Sequence, residues 1–170
     1  IHTDESPQPD LLALYLRESE QELQLRLDFF DLAQNPDFDL HLAFDSAAGG
    51  AEMASLPEIG FAWDTLVSIA ASGHITIQDA QGQPRSQARI QVFRNSILDH
   101  LTLSASRDIL PAGSTGYHVL AWLTVAGSEQ VLDVLPLAYS ESRPPQRVKI
   151  LMAFSDSFLA YTPAQALRRW

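Results

Sequence analysis

Residues 22–45 read ELQLRLDFFDLAQNPDFDLHLAFD, and their reading decides the fold. Leu23, Leu25, Leu27 and Phe29 alternate with Gln24, Arg26 and Asp28. Phe38, Leu40, Leu42 and Phe44 then alternate with Asp37, Asp39, His41, Ala43 and Asp45. Period-2 patterning of this kind marks strands with one face turned to a core. Between the two runs stand Asp31, Asn35, Pro36 and Asp37, all turn formers. The stretch carries five aspartates (Asp28, Asp31, Asp37, Asp39 and Asp45). They can punctuate a turn, line a cation site or serve as catalytic acids, and the turn reading comes first.

The same pattern extends outward. Upstream, LLALYLRES (11–19) alternates Leu12, Leu14 and Leu16 against Ala13, Tyr15 and Arg17. A polar joint at Glu20–Gln21 makes a hairpin with the following strand. Downstream, SAAGGAEMASLPEIG is a loop. In FAWDTLVSIAA (61–71), Phe61, Trp63, Thr65, Val67 and Ile69 fit a strand. HITIQDAQGQPRSQARIQVFR holds two strands around a turn at Gly82 and Pro84. ILDHLTLSASRDIL (97–110) reads as a strand through Leu103, then a helical turn over 104–110 capped by Ser104 or Ser106. GYHVLAWLTVAG (116–127) is a buried strand and EQVLDVLPLA a weaker one. Together these predict an all-β, antiparallel β-sandwich with jelly-roll or Greek-key connections, of roughly nine strands.

Residues 1–139 are expected to form the sandwich and 140–147, with Pro144–Pro145, a linker. The apolar run VKILMAFSDSF (148–158) has two equal readings: the last sandwich strand, or the first strand of a following domain within 148–170. YTPAQALRRW opens a helix at the C-terminus, with Thr162 as N-cap and Pro163 at its first position. Both ends look cut, so the chain is expected to be a domain of a longer protein.

The 170 residues suffice for one domain with a real core. Of the net charge of −10, residues 1–60 carry thirteen Asp/Glu against two Arg. A basic stripe, the usual footprint of nucleic-acid binding, is missing, and an acidic surface is repelled by anionic lipid. No apolar run reaches the ~20 residues of a membrane helix, so neither nucleic acid nor membrane insertion is expected. With no cysteine, thiolate metal sites, disulfides and a Cys nucleophile are excluded. Phosphate-cradle and nucleophile-elbow motifs do not occur.

The strand order, with DLLALYLRESEQELQLRLDFFDL running into FDLHLAFDSAAGG and DHLTLSASRDILP preceding YHVLAWLTVAG, resembles the C-terminal β-sandwich modules of glucodextranases and some amylopullulanases. Those are in turn similar to family-nine carbohydrate-binding modules and DOMON-like domains. The resemblance covers about residues 10 to 138. It implies a non-catalytic accessory module, extracellular or at the cell surface, often with a structural calcium. Its partners would be a polysaccharide or oligosaccharide, or an adjacent domain of the same parent chain.

Two residue sets follow. Asp28, Asp31, Asp37 and Asp39 lie on or beside one loop and are the candidate calcium ligands, although the spacing matches no EF-hand; the plainer reading gives turn formers and a solvated strand face. Tyr15, Phe30 and Trp63 are the candidate ligand-binding aromatics. Tyr15 and Phe30 fall on the polar phase of their strands and should point away from the core. They could form a sugar platform, a domain interface or a second small core. Trp122 sits in a run too apolar for the surface, and Trp170 lies beyond the matched region. Of the histidines His2, His41, His74, His100 and His118, none pairs at metal spacing. Asp64 and Asp99 are acids beside an aromatic ring and an imidazole. Asp156, at the end of an apolar strand, would belong to a following domain.

Overall fold

A computed structural model describes residues 9–46, 50–53, 56, 59–85, 89–112, 114, 116–141 and 151–154, with 136–141 and 151–154 described by backbone alone. The strands are β1 (Leu11–Glu18), β2 (Glu22–Phe29), β3 (Phe38–Asp45), β4 (Ala51–Glu52), β5 (Ala62–Trp63), β6 (Thr65–Ile69), β7 (Ile75–Asp79), β8 (Ile90–Asn95), β9 (His100–Ser106), β10 (Gly116–Val125), β11 (Val131–Glu141) and β12 (Leu151–Phe154). One five-stranded sheet has the order β12-β1-β2-β9-β8 and the other β11-β10-β3-β6-β7; β4 and β5 make a small separate pair. Every pairing among the described residues is antiparallel. β2 pairs with β9 and β3 with β10, so the β2–β3 and β9–β10 crossovers run side by side between the layers, as in a jelly roll. The all-β sandwich expected from the alternation is the observed fold.

The alternation does the sorting. Leu23, Leu25 and Leu27 from one layer meet Leu40, Leu42 and Phe44 from the other, with Leu101, Leu103, Tyr117 and Val119 completing the core. Fully burying each such side chain contributes roughly 1.5–3 kcal/mol. Phe29 stacks on Phe38 at 5.6 Å between ring centroids, joining the end of β2 to the start of β3 across the sandwich.

Several boundaries differ from expectation, each for a local reason. In β1 a register shift between Leu11 and Ala13 puts Leu11 rather than Leu12 into the core. The 61–71 strand breaks at Asp64, leaving β5 and β6. Residues 97–99 form a turn, and β9 runs to Ser106 instead of ending at Leu103. The helical turn is a 3₁₀ turn at Arg107–Ile109; Ser106 stands at its N-cap and makes no side-chain cap bond. Ser140 and Glu141, expected in a linker, belong to β11, and Leu151–Phe154 pairs with β1 at the sheet edge. The remainder of the expected linker, Asp156 and the C-terminal helix lie outside the described residues.

The sandwich is asymmetric at its two sides. On one side β11 and β12, the edge strands of the two sheets, lie together, and the Leu11 amide of β1 donates to Asp133 Oδ2 of β11 at 2.6 Å. On the other side the edges are β7 and β8, and these two do not pair.

The outer face of the second sheet carries a satellite core. Ala43, Leu120 and Trp122 are covered there by Met53 and Phe61, with Leu56 and Trp63 alongside. Gly50 leads into this cover with φ +92°, and a Cβ there would stand 2.8 Å from the Trp63 carbonyl oxygen. Only glycine fits so close an approach in that conformation.

Candidate functional site

The aspartates stitch together the loops at one end of the sandwich. Asp39 Oδ1 accepts from the Ala71 amide at 2.8 Å and its Oδ2 from the Gly127 amide at 2.9 Å. The Asp37 carbonyl accepts from Ala126 N at 3.0 Å. Asp99, the one described non-glycine residue with positive φ (50°), accepts from Phe29 N through its carbonyl at 2.8 Å and from Leu32 N through Oδ1 at 3.1 Å. The loops 30–37, 70–74, 96–99 and 126–130 are thereby one connected tip. Asp28 is not on a solvated face: it is nearly buried and ion-paired to Arg26. Asp39 is likewise engaged with backbone, whereas Asp31 and Asp37 are exposed. Among the described residues no cluster of three or more His, Asp or Glu side chains is placed to hold a metal ion.

The tip loops, with Asp10 beside them, contain Asp10, Asp31, Asp37, Asp99 and Glu129 and no Lys or Arg. At the opposite end Arg17, Arg85, Arg89 and Arg107 stand among Glu18, Glu20, Glu22, Asp45, Asp64, Asp79 and Asp108, and Arg107 is paired to Glu18. The acids of the N-terminal third are thus divided between the two ends, with Asp10, Asp31 and Asp37 at the tip and Glu18, Glu20, Glu22 and Asp45 at the other.

Exposed apolar side chains share that tip. Phe30 is 67 % and Ile97 89 % exposed, and Leu98 is also open to solvent. Asn95 Oδ1 accepts from the amides of both Ile97 and Leu98 at 3.1 Å, which fixes the turn that presents them. Asp99 then ties this turn to the Phe30 loop. Phe93, 66 % exposed, stands on the outer face of β8.

The three candidate aromatics are thus in three different places. Tyr15 does lie on the face opposite the core, in a row with Arg26, but it is completely buried there, with the Arg26 guanidinium 5.5 Å from its ring centre. It presents no stacking surface. Trp63 is half-buried against the satellite core, and Phe30 alone is open. Trp122 is buried, as its apolar surroundings suggested, and His41 stacks on it at 4.9 Å. The two His41 ring nitrogens bond Ser68 Oγ at 2.9 Å and Thr124 Oγ1 at 3.0 Å, and burial lowers its pKa against the opposing pull of Asp39.

Asp64, proposed as a candidate acid, instead accepts from the Ser46 amide at 2.7 Å and the Ser46 hydroxyl at 3.0 Å. Asp45 lies 3.8 Å from His118 Nδ1. Burial and the Asp64 charge raise its pKa, and His118 works against both.

Sequence reasoning missed the open side of the sandwich. There Ile75, Thr76, Ile77, Gln78, Pro84, Arg85 and Ile90 line a groove of about 380 Å³. It also missed Ile97 and Leu98. The available signal was two aliphatics between the turn formers Asn95 and Asp99, which alternation alone absorbed into a strand. No protein-family model, curated protein or solved structure matches this chain.

Proposed function

We propose that this chain is a non-catalytic accessory module of a larger, extracytoplasmic carbohydrate-active protein, and that it works by contact through its tip. The observation that supports this reading is the Phe30–Ile97–Leu98 set, exposed on loops tied together by Asp99. Solvent-exposed apolar side chains on a braced turn suit recognition better than stability. Two aliphatics beside one aromatic favour an adjacent protein domain as the principal contact, and the Phe30 ring offers one face to a sugar. The strand order that resembles glucodextranase-type modules is consistent with both.

The test has two arms, each comparing wild type with Phe30→Ser and Ile97→Ser. In the parent polypeptide, the variants should uncouple the unfolding of this module from that of its neighbour. On affinity gels cast with storage, plant and microbial glycans, Phe30→Ser should lose any retardation. Unchanged coupling together with absent retardation would sink the proposal. A second reading, a calcium-stabilised structural module, is favoured by Asp31 and Asp37, both exposed on one loop of the acidic tip. A melting temperature that chelator leaves unchanged rejects it.

A further inference from the structure

We infer that the open side of the sandwich is a binding site for a small apolar carboxylate, held by Arg85 over an isoleucine floor. The site is independent of the tip and of the accessory-module reading.

The floor comes from strand alternation at two sheet edges. Ile75 and Ile77 of β7 and Ile90 of β8 point inward and pack on the main core. Because β7 and β8 do not pair, their inward side chains are only partly covered. The groove of about 380 Å³ between them falls in the range of small-molecule sites, roughly 300–1,000 Å³.

Arg85 supplies the polar end. The turn after β7 is fixed by Asp79, whose Oδ1 accepts from the amides of Gln81 and Gln83 at 3.0 and 2.8 Å. The chain then folds back along β7: Pro84 bridges to Gln78, and the Arg85 amide donates to the Ile77 carbonyl at 2.9 Å. Its guanidinium is anchored by one nitrogen. Nη1 donates to Thr65 Oγ1 at 2.9 Å and to the Ile109 carbonyl at 2.8 Å, and both acceptors are neutral. The described ion pairs are Arg26–Asp28, Arg107–Glu18 and His118–Asp45, and Arg85 belongs to none of them. A guanidinium has five N–H donors. With Nη1 occupied, the Nε–Nη2 edge remains, and that edge binds a carboxylate through two parallel hydrogen bonds. A carboxylate on Arg85 lays its apolar body against Ile75, Ile77 and Ile90. The ligand class is therefore a monocarboxylate with a short aliphatic or aromatic tail.

The experiment uses octanoate below its micellar concentration, with octanol as the neutral analogue, followed by methyl NMR and calorimetry. Saturable octanoate shifts at the Ile75, Ile77 and Ile90 methyls are expected. Octanol should bind more than tenfold more weakly. Arg85→Lys keeps the charge but loses the fork, and should weaken octanoate severalfold. Arg85→Gln should bring octanoate down to the octanol level. Because Arg85 also braces Thr65 and Ile109, the fold of each variant is checked by its methyl spectrum, and the wild-type octanoate-to-octanol ratio stands as a test without any variant. Equal affinity of the two probes, shifts mapping away from these isoleucines, or no saturable binding would each overturn the inference.

Discussion

Arg26 and Asp28, two residues apart on β2, form a two-pronged ion pair on the face of the sheet away from the core. Nε lies 2.7 Å from Oδ1 and Nη2 3.1 Å from Oδ2, with the side chains only 4 % and 13 % exposed. Adjacent same-face positions on a strand bring the two groups together, and the fork geometry suits the carboxylate.

Removing one member strands the other in a poorly hydrated place. Arg26→Met is expected to destabilise the domain by ~3–5 kcal/mol, and Asp28→Leu comparably. The double variant Arg26→Met/Asp28→Leu should recover most of that loss. Urea unfolding of all four proteins checks it, and additive losses in the double variant would count against the coupling.

Asp133 makes stability fall with rising pH. Burial holds its carboxyl above the usual range; the Leu11 and Val134 amides pull it down, while Asp10, which hydrogen-bonds to it, pushes it up. The folded chain thus binds this proton more tightly than the unfolded chain. The associated stability is complete below the ordinary carboxylate pKa and is lost as pH rises through the raised folded value. Asp45 shifts in the same direction. Asp10→Asn should stabilise the domain near neutrality and flatten its stability profile between the usual carboxylate range and pH 7. A slope identical to wild type in a pH series of urea melts would contradict this.

His41 acts with the opposite sign. Its pKa is lowered from 6.5, chiefly by burial. The unfolded chain therefore takes up this proton first, and the stability due to the neutral ring is lost as pH falls through 6.5 and toward the folded value. The His41 carbon-bound ring protons should titrate below those of a free imidazole. In His41→Gln, the acid-side decline of stability should shrink. A ring titrating at or above 6.5 would defeat the assignment.

The alternation was legible wherever one strand face meets the core and the other meets polar surroundings, as in ELQLRLDF and FDLHLAFD. It misled where both faces are covered. Tyr15 falls on the outward phase as expected, yet it is buried beneath Arg26, because period 2 reports a side chain's face and not what lies over that face. The register shift in β1 likewise moved Leu11 inward without a mark in the local pattern. The turn chemistry of Asp37 and Asn35 was readable, whereas the long-range jobs of Asp39 and Asp99 were not. Asp39 meets Gly127 across 88 positions and Asp99 meets Leu32 across 67. The groove was invisible for a related reason: it exists because β7 and β8, at the ends of two different sheets, do not pair with each other, a property of topology rather than of either segment.

Asp10, Asp31, Asp37, Asp99 and Glu129 give the tip loops charge of one sign, whereas the arginines of the far end are interleaved with acids. A patch of one sign acts over a longer range than interleaved charges, whose fields largely cancel. A cationic surface would therefore draw on the tip loops without local opposition, and Phe30 and Ile97 lie on those same loops. Raising ionic strength until the Debye length shrinks to a few ångströms would erase that pull.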